Sequence, residues 1–215
     1  RDRGAAVRLL DADVARAALL LERISPGTPL PGGDDAIAVA VAAGLLSRLH
    51  AAPRPAFPFP SLAGAYPLHE RRARADAAHE RRTRGAVPAG LPLLPRARAA
   101  AMRLCASSAR DVLLHGDFLD KNLLWDGARY VAIDPMPRVG DPCADIGFFA
   151  AAHPPAAAML ERAGALAERL GEDRARAARW TAVWAAGEAC ETWRADSSQL
   201  AAAVTSAAVE RLLDL

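Results

Sequence analysis

Two periods of hydrophobic and polar positions run along this chain, and the switch between them divides it. Ala5 to Leu10 is an apolar run interrupted only by Arg8. Asp11 and Asp13 supply turn chemistry, and Ala18-Leu19-Leu20-Leu21 resumes the apolar pattern before Ile24. Two short apolar runs around turn formers predict a β-hairpin over Gly4–Ile24, although alanine and leucine also suit a helix. Ser25 to Gly33 carries three prolines and three glycines, a breaker-rich connector of the kind that separates lobes. A helix follows, capped by Asp34 or Asp35 and running to about Ala51, with Ile37, Val41, Leu45 and Leu49 at i, i+4 spacing on one face.

Pro53, Pro55, Pro58 and Pro60 force an extended loop. A charged segment spans Leu68–Arg84, and Pro92–Ala109 reads as another helix. Between Asp111 and Ile133 the helical period stops. Val112-Leu113-Leu114, Leu123-Leu124-Trp125 and Tyr130-Val131-Ala132-Ile133 read as three strands, and Asp126-Gly127 is the hairpin turn between the last two. Beyond Pro142 the pattern is helical almost to the end, broken near Pro154-Pro155, Gly171 and Asp196. A short strand segment therefore sits inside a mostly helical body.

Composition narrows the function. The 27 basic and 25 acidic residues nearly cancel, which argues against a dedicated nucleic-acid or polybasic membrane binder. Arginine supplies 26 of the 27, consistent with a GC-rich codon bias, and Lys121 is the sole lysine. Cys105, Cys143 and Cys190 form no C-x-x-C pair or Cys/His cluster, so a reducing cytoplasm without structural zinc is expected. No apolar run is long enough to span a membrane. Arg71-Arg72-x-Arg74 and Arg81-Arg82-x-Arg84 are interleaved with Glu70, Asp76 and Glu80 and read as a solvated helix face. No aromatics accompany them as single-strand binding would favour. His50, His69, His79 and His153 stand isolated, as surface or satisfied residues, while Trp180, Trp184 and Trp193 fall near helical spacing as core.

The chemistry concentrates in His115-Gly116-Asp117-Phe118-Leu119-Asp120-Lys121-Asn122 and in Ile133-Asp134-Pro135. Phosphoryl transfer asks a protein mainly to position groups and neutralise charge. It needs one carboxylate facing the attacking hydroxyl, and hard oxygen ligands for the Mg²⁺ on the ATP phosphates. A loop between strands can present Asp117 and Asn122 from one turn, and the following hairpin returns Asp134 alongside them.

His115-Gly116-Asp117-x4-Asn122 followed by Ile133-Asp134-Pro135 resembles the catalytic and metal loops of the aminoglycoside phosphotransferases, in the branch of streptomycin kinases and hydroxyurea phosphotransferases. Leu21-Glu22-Arg23-Ile24-Ser25-Pro26-Gly27 resembles the hinge of that branch, and Gly140-Asp141-Pro142 the stretch after its metal loop. The resemblance covers roughly residues 5–215. It implies an α+β, protein-kinase-like fold: mostly the helical C-terminal lobe (34–215), a residual N-lobe hairpin (1–24), a linker (25–33) and a small catalytic β-hairpin. It implies Asp117 as catalytic base, Asn122 and Asp134 as Mg²⁺ ligands, and Glu22, Arg23 and Ile24 as backbone contacts to the adenine of ATP. The activity implied is phosphorylation of a hydroxyl on an aminoglycoside such as streptomycin, conferring antibiotic resistance.

One departure is Leu119-Asp120-Lys121, where relatives often carry His-Pro-Gly. Lys121 there touches a phosphate or offsets Asp120. Asp145, near a helix start, caps that helix or braces the catalytic loop. Glu188 and Glu191 share a helix face and, with Asp196, offer an acidic wall to a cationic substrate. A complete kinase also needs a glycine-rich loop and a strand lysine that pairs the phosphates. Neither occurs before the hinge-like segment, and the chain does not start with Met. The expectation is an N-terminally truncated kinase, inactive by itself. The alternatives are a non-catalytic small-ligand-binding module and a related kinase with another hydroxylated acceptor.

Overall fold

The computed structural model describes residues 4–31, 35–53, 56–191 and 197–215. Strands β1 (Leu9–Asp13) and β2 (Ala18–Leu21) form the antiparallel hairpin foreseen from the sequence, with Asp13 pairing Ala18. Its leucines are exposed: Leu19 keeps 67% of its surface and Leu20 59%. The connector contributes strand β3 (Thr28–Pro29), which pairs with β5 (Leu123–Trp125). β6 (Tyr130–Ala132) completes this three-stranded sheet, in the order β3-β5-β6. The segment before β1 is tied to the same sheet, because Val7 N–H donates to Ala132 O and Ala132 N–H to Ala5 O.

Helix α1 (Asp35–Ala51) forms where expected. Its buried face, however, is Val39, Ala42, Leu46 and His50, with Leu45 beside it, and Ile37 lies outside it, half exposed. α2 (Leu62–Arg84) begins six residues before the charged segment seen in the sequence. Ser61 caps it by accepting from Gly64 N–H, and the helix continues through Pro67. The arginines of α2 pair along the helix, Arg74 with Glu70 and Arg84 with Glu80; the arginines are exposed but both glutamates are buried, so the face is only in part the solvated one expected. A 3₁₀ turn (Leu91–Leu93) leads into α3 (Leu94–Ala106).

β4 (Val112–Leu114) pairs not with its sequence neighbours but with β7 (Arg138–Gly140), a strand the alternation pattern did not predict. The remaining described helices are α4 (Cys143–Ala151), α5 (Ala156–Leu170), α6 (Arg174–Glu188), α7 (Ser197–Val204) and α8 (Ala207–Asp214). α4 and α6 form the densest contact of the fold. A Cβ on Gly147 would stand 2.6 Å from Trp180 Cβ, so the two helices meet at a distance only glycine permits. The hydrophobic core runs from α1 through the small sheets into α4, α5 and α6, with Trp180, Phe118, Phe149 and Met159 fully buried. Asp141 anchors it from inside, accepting from Trp180 Nε1 and Arg176 Nε, each at 2.5 Å.

Candidate active site

β4 delivers the chain into His115-Gly116-Asp117, and the turn is fixed from below. Gly116 adopts φ +76°, and a Cβ there would collide with Met136 O, so only glycine lets the loop lie against the β7 approach. His115 O accepts from Met136 N–H at 2.8 Å. The carboxylate of Asp145, in the first turn of α4 and 1% exposed, accepts from His115 N–H (2.8 Å), Gly116 N–H (3.0 Å) and His50 Nε2 (3.0 Å). Burial pushes the Asp145 carboxyl up. The His50 hydrogen bond, the nearby His50 and His115 rings and the Gly116 N–H outweigh it, and the net direction is down. Asp145 therefore braces the His115–Asn122 loop.

His115 completes the support. Its Nε2 faces Ile133 O at 3.0 Å, and its Nδ1 faces Asp117 N–H at 3.3 Å. A carbonyl can only accept and an amide can only donate, so Nε2 donates to Ile133 O and Nδ1 accepts from Asp117 N–H. It also lies edge-on to Phe118, ring centres 5.4 Å apart. One imidazole thus joins the loop bearing Asp117 to the strand end bearing Asp134.

Above this floor the predicted residues converge unevenly. Asn122, buried in the 3₁₀ turn Asp120–Asn122, donates from Nδ2 to Asp117 O (2.9 Å) and Asp117 Oδ2 (2.8 Å). Lys121 Nζ stands 3.7 Å from the same Oδ2, and Asp120 takes a 3.0 Å contact from His153 Nε2. Asp134 is exposed at the end of β6, and Ile133 N–H before it donates to Asn122 O at 2.9 Å. Its φ of +54° is uncommon for a non-glycine residue and is tolerated best by Asn and Asp. With Nδ2 committed to Asp117, Asn122 Oδ1 is the atom left to face a cation. Among the described residues no cluster of three His, Cys, Asp or Glu could hold a metal. An amide oxygen with one or two carboxylates is the sparse, hard donor set that suits Mg²⁺, whose remaining positions go to water and phosphate.

A cavity of about 570 Å³ opens on this loop. Asp117, Lys121 and Met136 line one wall; Tyr66, His69, Trp184, Glu188 and Glu191, from α2 and the end of α6, line another. The acidic pair expected from the sequence therefore faces the same space as Asp117, while Asp196 lies outside the described residues. Trp193 does too; Trp180 and Trp184 are core residues as expected. Glu22, Arg23 and Ile24 follow β2 beside the hairpin, with Glu22 N–H on Arg8 O, and do not line the cavity. The structure brings Asp117, Asn122 and Lys121 together and keeps the hinge-like triplet apart from them.

Sequence reasoning missed His50 and His69. A histidine inside the apolar stripe Leu45-Leu46-Leu49 was the available signal for His50; none marks His69. Burial raises the pKa of all three thiols, Cys105 to about 11, Cys190 to about 12 and Cys143 further still, which leaves them inert.

Comparison with known proteins gives the family and the fold. A sequence profile of the family described as aminoglycoside/hydroxyurea antibiotic resistance kinase matches residues 1–197. A streptomycin 6-kinase of Streptomyces griseus is 34% identical over 193 residues, covering 81% of this chain and 58% of that protein. A hydroxyurea phosphotransferase of Kitasatospora aureofaciens is 37% identical over 187 residues, covering 81% and 51%. The chain thus spans a little over half the length of the curated relatives it matches. Among solved structures, a choline/ethanolamine kinase family protein from Mesorhizobium loti superposes with a TM-score of 0.67 at 16% identity, covering 98% of this chain and 78% of that one. Choline kinase LicA from Streptococcus pneumoniae gives 0.59 at 12% identity, covering 98% and 75%. At such identities the likeness establishes the fold, which is the α+β, kinase-like one expected.

Proposed function

The chain belongs to the aminoglycoside/hydroxyurea antibiotic resistance kinase family, and from that premise we propose that it carries the catalytic loop and acceptor pocket of an ATP-dependent phosphotransferase. The acceptor is a hydroxyl of an aminoglycoside such as streptomycin. The observation that supports this most directly is that Asp117, held by Asn122 Nδ2 and approached by Lys121, lines the same cavity as Glu188 and Glu191.

In this reading Asp117 Oδ2 orients the acceptor hydroxyl and takes its proton as the hydroxyl oxygen bonds to the γ-phosphorus. The bond from that phosphorus to the β-phosphate oxygen breaks, and ADP leaves. Asn122 Oδ1 and the Asp134 carboxylate would hold Mg²⁺, which when bound neutralises phosphate charge. Lys121 exchanges its contact with Asp117 for a phosphate oxygen, and the backbone of Glu22, Arg23 and Ile24 meets the adenine. Glu188 and Glu191, with Asp196, receive the cationic groups of the acceptor. Lys121 is the only lysine in these 215 residues and no glycine-rich loop precedes the hinge-like triplet, so the chain alone is expected to hold its acceptor better than it turns over ATP. A reaction of this kind belongs in the cytoplasm, where ATP is made; among the described residues no helix is long and apolar enough to cross a membrane.

The test is a chimera of the S. griseus streptomycin 6-kinase with its matching 193-residue segment replaced by this one, assayed for phosphate transfer from ATP to streptomycin. Transfer is expected, and Asp117→Ala should reduce it by about 10²–10⁴-fold. A second reading is a non-catalytic ligand-binding module. A chimera that binds streptomycin and transfers nothing would establish it. A chimera active only on other hydroxylated acceptors would point to the related small-molecule kinase.

A further inference from the structure

The acceptor cavity has a buried polar group that nothing in the catalytic account uses. His69, on α2, lines the cavity, and its Nε2 is closed from solvent with no hydrogen-bond partner among the described residues. The ring is held rather than loose. It meets Trp184 edge-on, with ring centres 4.9 Å apart at 87°, and lies 5.8 Å from Tyr66. Trp184 is in turn fixed by Nε1–H donating to Ala144 O at 2.9 Å and by stacking on Trp180. The atom nearest to Nε2 belongs to Gly187 of α6, also on the cavity wall, where any Cβ would collide with the imidazole. A glycine at the last turn of α6 therefore leaves a seat for the His69 tip, next to Glu188 and four residues before Glu191.

A buried, unpaired imidazole nitrogen costs free energy that a partner would recover. Backbone of α6 offers it none. The imidazole itself lines the cavity, within reach of an acceptor bound there. We infer that His69 is a specificity-determining residue of the acceptor pocket, hydrogen-bonding an uncharged hydroxyl of a polyhydroxylated, cationic acceptor whose positive groups face Glu188 and Glu191. The inference rests on the phosphotransferase reading above and deepens it.

Electrostatics fits this division of labour. Burial first, and the Arg72 guanidinium second, push the His69 pKa down to about 4, so the ring is neutral at physiological pH. A neutral imidazole both donates and accepts, which matches a hydroxyl in either sense, and it does not repel a cation seated beside it. A site built to hydrogen-bond a hydroxyl also rejects analogues lacking one, because its own polar group is then left unpaired.

Streptomycin binding to this chain, measured by calorimetry, tests the inference without requiring transfer. His69→Phe keeps the ring packing and removes both nitrogens; it should weaken binding about tenfold. His69→Gln restores a hydrogen-bonding end and should stay within about threefold of wild type. In ¹⁵N spectra, the imidazole resonance missing from the His69→Gln variant should shift when streptomycin is added to wild type. Undiminished binding by His69→Phe, or an unmoved His69 resonance on binding, overturns the role of His69 and leaves the phosphotransferase reading standing. Failure of the wild-type chain to bind streptomycin or any hydroxylated cation overturns both.

Discussion

Leucine and alanine do opposite things in two regions of this molecule. In the β1–β2 hairpin, Leu9, Leu10, Leu19, Leu20 and Leu21 all remain exposed, and Val14 at the turn keeps 90% of its surface. In the α4–α6 contact, alanines at 150, 151, 182, 185 and 186 are wholly buried around Trp180 and Ile146. The residue types are similar and the local backbone in both is regular. What differs is the second layer: among the described residues no second layer covers the two-stranded ribbon, whereas α4 and α6 cover each other at glycine-limited distance. Cohesion in the described residues is therefore a property of the helices and of the polar braces between them. The segment leading into the hairpin is tied by backbone hydrogen bonds of Ala5 and Val7 to Ala132 in the β3-β5-β6 sheet.

That contrast can be broken in order of severity. Asp145→Ala strips one buried acceptor from three donors and leaves the His115–Asn122 loop unsupported; we expect a loss of about 3–5 kcal/mol in urea unfolding, because several buried donors are left unpaired at once. Gly147→Ala forces a methyl group into Trp180 and should cost about 1–3 kcal/mol, read as a lower melting temperature. Titration sharpens the picture further. The folded pKa of Asp145 lies below its ordinary 3.8, so the unfolded chain binds the proton first. Its contribution is present above the ordinary carboxylate range and fades as pH falls through the lower folded value. Urea midpoints between pH 6 and pH 2 should decline less steeply in Asp145→Asn than in wild type. Smallest of all is Leu19→Ser with Leu20→Ser, expected within about 0.5 kcal/mol of wild type. A larger loss would mean that the hairpin is covered in solution and that the contrast does not hold.

Much of the site is legible because its chemistry is local. Asp117 and Asn122 are five residues apart in one turn, and the Asp126-Gly127 hairpin returns the chain to Asp134, so short-range turn rules suffice. Where the sequence misleads, a distant partner has decided. β7 is three residues without alternation and exists only because β4 pairs with it. The start of α2 is hidden by Pro67, a breaker by rule that the helix absorbs in its second turn. Ile37 looks like a core position on i, i+4 spacing, yet the face that α5 and β4 cover runs through Val39, Ala42 and Leu46. His50 finds Asp145 95 residues away, a relation no periodicity encodes. The acidic pair of α6 was visible as an i, i+3 face, but its cavity, and the histidine across it, depend on how α2 crosses α6.

The excess of arginine has a practical corollary at the floor of the cavity. Lys121 carries the single ε-amine of the chain and stands beside Asp117. A lysine-specific endoprotease has one bond to cut, Lys121–Asn122, and the cut would part the loop's carboxylate from its amide. Acylating reagents likewise have one side-chain target besides the chain's α-amine. The rate of either reaction, followed by mass spectrometry, is therefore a label-free gauge of whether anything covers that loop, with no competing signal from the rest of the surface.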